Sequence, residues 1–178
     1  MPVRSISFGT MVLLIGVLCL GQTPPSSRPS TQPASAGPSP SPALTPQQVV
    51  RIQLTALRRN DDPAPDSGIA KVFEFASPEN QAQTGPLPKF IKMVKTAEYL
   101  PMVNHRRSML APLTGDDKES RQLVRIIAGD GSEAFFMFIL HKQSDGKYKG
   151  CWMTEGVVRV RPENAAPAQP NPDAPGAA

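Results

Sequence analysis

Two cysteines, two histidines, one tryptophan and two tyrosines in 178 residues leave little material for disulfide, metal or aromatic-cage chemistry. So low a cysteine content excludes a disulfide scaffold. The two histidines, His105 and His141, have no acid beside them in sequence, so no metal or cofactor is assigned. Charge of one sign is also sparse. Net charge is +4, no Lys/Arg run exceeds two residues (Arg58-Arg59, Arg106-Arg107), and aromatics do not interleave with a basic tract. A nucleic-acid groove needs both features, so no nucleic-acid partner is expected. Nucleophile-elbow, P-loop, dinucleotide and zincin motifs are all missing, and no catalytic residue is assigned.

Apolar runs are short. Met11–Leu20 holds ten uncharged residues behind Arg4, whereas a membrane span needs about 20. Residues 1–21 therefore read as an export signal with small residues, Cys19 and Gly21, before a cut. An uncleaved anchor starting from Ile6, or lipidation at Cys19, is the alternative membrane attachment; Leu18 makes a poor residue before a lipidated cysteine. The expected location is exported: periplasmic, extracellular or envelope-associated. After cleavage Cys151 is left alone and reads as a small core residue.

What is abundant is proline, and its distribution divides the chain. Of 21 prolines, 7 lie in residues 22–44, 5 in 162–178 and 8 in 45–161. Residues 22–43 are nearly all Pro, Ser, Ala, Gly, Thr and Gln, too apolar-poor to offset their ordering entropy, and read as a disordered linker. Residues 162–178 read as a disordered Pro/Ala-rich tail, which leaves 44–161 as one folded domain.

Within that domain Thr45-Pro46-Gln47-Gln48 is a capping box that opens a helix running from Pro46 to about Asn60. The acidic stretch Asn60–Asp66 ends it as a solvated loop, since Pro63 and Pro65 break calcium-ligand spacing. Helical spacing predicts a second helix through Ile69, Val72 and Phe73, a turn at Ser77-Pro78, and a third helix through Leu87, Phe90, Ile91 and Val94. From Met102 the period becomes alternating, with strands near 102–113, 120–128, 133–142 and 148–160. Helices first and sheet second define an α+β class.

Asp130-Gly131 and Asp145-Gly146 read as two-residue hairpin turns, which set a register. Arg125 then faces Phe136, and Glu155 faces Phe136 from the other side, so Arg125 and Glu155 flank one ring. The opposite face carries Val124, Ile126, Phe135, Met137, Ile139, His141, Trp152 and Thr154. With both faces apolar, one is covered by helices and the other by a longer helix, the linker or a second subunit.

Leu44-Thr45-Pro46-Gln47-Gln48-Val49-Val50-Arg51, Phe75-Ala76-Ser77-Pro78-Glu79-Asn80, Thr84-Gly85-Pro86-Leu87, Tyr99-Leu100-Pro101 and Gly150-Cys151-Trp152-Met153-Thr154 together resemble the domain of unknown function 4864 family, over Leu44–Val160. The order of elements also resembles the NTF2-like superfamily. That resemblance implies N-terminal helices packed on a curved antiparallel sheet of about four strands, a cone that encloses a pocket and often forms homodimers through the sheet. Superfamily enzymes such as ketosteroid isomerases and dehydratases use an acid or His-Asp pair in the cone, which no motif places here.

The candidate ligand-binding residues are Arg125, Phe136, Glu155, Trp152, Tyr99 and His105. A paired charge inside a cone suits a polar ligand or proton transfer. His105 with Arg106 and Arg107 suits an anion, although alternation along a strand keeps all three from converging. The reading is noncatalytic binding of a small ligand or protein partner. The alternative is a cofactor-free isomerase, lyase or hydrolase with Glu155 as pocket acid and Arg125 orienting substrate.

Overall fold

The computed structural model describes residues 37–161. Four helices precede an open antiparallel sheet of five strands among these residues. The segments expected to be an export signal and a tail, and most of the expected linker, lie outside the described residues.

Helix α1 (Pro46–Arg58) starts as its capping residues require. Thr45 Oγ1 accepts from the Gln48 amide at 3.3 Å and Gln48 Oε1 accepts from the Thr45 amide at 2.8 Å, so two orphan donors are satisfied. Val49, Val50, Gln53, Leu54 and Leu57 form its buried face. Helix α2 (Ser67–Glu74) crosses it at a glycine: a Cβ on Gly68 would sit 2.2 Å from the Ala56 carbonyl oxygen. The loop between them is tied at Asn60, which is 1% exposed. Its Nδ2 donates to Asp61 and Asp66, and its Oδ1 accepts from the Ile69 amide at 3.0 Å. Asn104 and Lys95 complete the partners of those two carboxylates. The loop is exposed from Asp61 to Pro65, as expected, and is tied down through the buried Asn60.

Ser77-Pro78, expected as a turn, instead opens a short helix, α3 (Pro78–Thr84), because Ser77 Oγ caps the Asn80 amide at 3.0 Å. Helix α4 (Leu87–Val94) follows as its apolar spacing predicts. Beyond a 3-10 turn at Leu100–Met102 come β1 (Arg107–Leu110), β2 (Thr114–Gly115), β3 (Glu119–Ile127), β4 (Glu133–Lys142) and β5 (Trp152–Val160). Of the strand expected near 102–113 only Arg107–Leu110 forms, and a second short piece, β2, follows it beyond Pro112, which cannot donate to the ladder. Both pair with β3, and the remaining order is β3-β4-β5.

Both predicted registers are corrected. Three residues, Gly129–Gly131, bridge β3 and β4, with Ala128 donating to Ser132 and Gly131 at φ +91°. This one extra residue makes Val124 face Phe136 and Arg125 face Phe135. A one-residue slip moves every side chain to the other face. Val124, Ile126, Phe136, Phe138 and Leu140 consequently lie together against the helices at 0% exposure. Each buried ring there contributes about 2–3 kcal/mol. The β4–β5 connection is also longer than a two-residue turn: it runs through a 3-10 turn at Gly146–Tyr148, and Gln143 donates to Cys151. Leu140 therefore faces Thr154, and Phe136 faces Arg159 rather than Glu155. Between Thr154 and Gly156 the pairing shifts by one, leaving Glu155 as the bulged residue.

The outer face carries Leu123, Phe135, Met137 and Ile139, all partly exposed, and Val158 at 53%. Cys151 is buried, which pushes its thiol pKa up. No helix among the described residues is long and apolar enough to cross a membrane.

Candidate functional site

Where β5 bulges, the end of α2 attaches to it. Thr154 donates to the Phe75 carbonyl and accepts from the Ser77 amide, both at 2.8 Å. Asn80, the residue that Ser77 caps, donates its Nδ2 to the Glu155 carbonyl at 2.8 Å. These bonds hold the helical layer to one edge of the sheet and leave a cavity of about 200 Å³ beneath α1–α4 and over β4–β5.

Leu57, Val72, Phe90, Val94, Met102 and Phe138 make the walls apolar. Asn80, Thr84, Tyr99 and Glu155 add polar atoms. Glu155 is the one charged residue lining it among the described residues, and its side chain is 21% exposed. Such a surface favours a neutral or cationic ligand with an apolar body.

Gln53 also lines the cavity and is fully buried. Its Nε2 donates to Thr154 Oγ1 at 2.8 Å and to the Val49 carbonyl at 3.3 Å. A carbonyl only accepts, so the amide orientation is determined and Oε1 is left with no partner. A buried acceptor without a donor costs about 1–3 kcal/mol, and native folds rarely keep one. A donor on a bound molecule would satisfy it.

The six candidate residues separate. Glu155 and Tyr99 reach the cavity. Phe136 stacks behind Tyr99, with ring centroids 6.5 Å apart and planes at 27°. Trp152 is buried in the core with Lys142 Nζ 6.0 Å from its ring centroid, away from the cavity. His105 is buried elsewhere, against the Met102 carbonyl. Arg125 lies on the outer face, paired with Glu133, so the Arg125–Glu155 pair does not form. Its failure is the hairpin register again. His105, Arg106 and Arg107 do not converge, as strand alternation requires: Arg106 donates to the Gly129 carbonyl at 2.9 Å and is exposed.

A family model for a domain of unknown function, DUF4864, matches residues 42–165. The chain belongs to this family. No curated protein and no solved structure matches it. The polar residues of the DUF4864 cavity that sequence reading missed are Gln53, Asn80, Gln83, Thr84 and Thr154. Gln53 did leave a signal, being a polar residue on the apolar stripe between Val50 and Leu54. The others depend on which strand meets α3. His141, on the outer-face side of β4, lies between Glu119 at 3.5 Å and Glu155 at 3.9 Å. No cluster of three or more metal-ligating side chains occurs among the described residues of the DUF4864 domain.

Proposed function

We propose that this is an exported, noncatalytic binding domain that takes a small, mainly apolar, neutral or cationic molecule into the cavity, with a hydrogen-bond donor directed at Gln53. The observation that carries the reading is the unpartnered Gln53 Oε1 in a cavity whose only lining charge among the described residues is a carboxylate. Helices laid over one face of an antiparallel sheet support an NTF2-like cone as the finer description. The half-exposed apolar outer face around Val158 supports a homodimer through the sheet.

Three ligands sharing one chain test the proposal: octanol, octylamine and octanoate, titrated by calorimetry against the purified chain. Octanol and octylamine bind, and octanoate binds at least about tenfold more weakly because its charge would sit beside Glu155 without a counter-ion. Equal binding of octanoate, or no binding of any, overturns it.

A catalytic second reading draws on Glu155, which borders the cavity with His141 Nδ1 3.9 Å from its carboxylate. Turnover of a bound ester or ketone, lost in Glu155→Gln with binding retained, would favour that reading.

A further inference from the structure

A second hollow, also about 200 Å³, lies beside the C-terminal end of α1. Leu54, Thr55, Arg58, Arg59, His105 and Ser108 line it. His105 is 2% exposed. Its Nδ1 lies 2.8 Å from the Met102 carbonyl, and because a carbonyl only accepts, that nitrogen carries the proton. Nε2 therefore presents a lone pair, and it has no partner although it is buried. Burial first, and Arg58 as well, hold the His105 pKa below the ordinary value, which keeps this lone pair available near neutrality.

The opposite requirement comes from α1. Arg58 and Arg59 are exposed, and their guanidinium groups make no ion pair among the described residues. Ser108 is half-buried with its hydroxyl free to donate, while Thr55 already donates to the Arg51 carbonyl at 2.8 Å. No carboxylate lines the hollow. Arg51, two turns before Arg58, extends the cationic strip along a neighbouring groove that it shares with Arg59. The site thus offers several donors for anionic oxygens and one buried acceptor that needs an O–H.

Phosphate with a protonated oxygen meets both demands. We propose that this hollow binds a phosphate that keeps one proton, free hydrogenphosphate or the monoprotonated form of a monoester, with Arg58, Arg59 and Ser108 donating to its oxygens and its P–OH donating to His105 Nε2. Sulfate matches the size and charge but carries no proton near neutrality, so it leaves Nε2 unsatisfied. A phosphodiester lacks the P–OH for the same reason. Arginine forks suit the tetrahedral oxyanion.

Inorganic phosphate titrated into the isotope-labelled full chain at neutral pH tests this, read on the His105 ring signals. The shift saturates, sulfate requires at least about tenfold higher concentration, and the exposed double variant Arg58→Gln/Arg59→Gln loses at least about tenfold in affinity. The control Lys147→Gln/Lys149→Gln is unaffected. Sedimentation with vesicles separates the sources: retention by phosphatidic acid and not phosphatidylglycerol, lost in the arginine variant, assigns a lipid monoester, and binding of inorganic phosphate alone assigns a soluble one. No saturable shift, sulfate equal to phosphate, or an equal loss in the lysine control overturns the proposal.

Discussion

Gln53 Nε2 donates to Thr154 Oγ1 at 2.8 Å, joining residues 101 apart in sequence and directly connecting the first helix to the last strand. The bond orients the amide so that its buried oxygen has no partner. If that oxygen is kept for a ligand, removing it costs binding more than folding. Gln53→Leu replaces a half-satisfied buried polar group by an apolar one of similar size, so stability in urea changes by no more than about 1 kcal/mol. Octanol binding by calorimetry falls at least about tenfold in the same variant, the equivalent of one lost hydrogen bond to a buried group.

Arg125→Gln removes the outer-face pair with Glu133 and leaves the cavity intact. Ligand affinity and melting temperature both stay at the parent values, since an exposed pair of this kind adds little to stability. A loss of octanol affinity in this variant would restore the Arg125–Glu155 site that the register excludes.

Gly68→Ala is expected to be among the most damaging small substitutions. The new Cβ meets the Ala56 carbonyl oxygen at 2.2 Å, and both helices would have to separate to admit it. Overpacking against backbone costs about 3 kcal/mol. Chemical denaturation would show the midpoint falling at unchanged slope. A gain in stability, as alanine for glycine gives in an open helix, would show that the α1–α2 crossing is looser than described.

The buried His105 also makes stability depend on pH. Its folded pKa is held below the ordinary histidine value of 6.5 by burial, then by Arg58, against the opposing bond to Met102. The unfolded chain therefore takes up the proton first as pH falls. The contribution of His105 is complete above pH 6.5 and is lost progressively as pH drops below 6.5 towards the folded value. Melting temperature measured between neutral pH and pH 5 falls more in the parent than in His105→Gln, and a parallel decline in both would refute this assignment.

Much of the fold was legible locally. The capping box at Thr45, the apolar spacing of α1, α2 and α4, and the alternation along β3 and β4 all follow from side-chain period and backbone donor satisfaction, which act over a few residues. The motifs from Leu44 to Val160 also carried the family. Helix α3 was missed because its seven residues carry no apolar stripe, although Ser77 caps its start and Gly85, at φ +84°, ends it.

The site depended on single residues that neighbours in sequence do not determine. Whether two or three residues close the β3–β4 hairpin decides which side of the sheet Arg125 occupies, and Asp-Gly is compatible with both. The bulge that places Glu155 beside the cavity exists because Thr154 is held by Phe75 and Ser77 of another element. The amino-acid sequence by itself determined the class and the order helices then sheet, since these rest on local periodicity, while the family followed from its motifs. Only the tertiary structure decided which polar groups are buried without partners, because burial and hydrogen-bond satisfaction are properties of side chains brought together from distant parts of the chain.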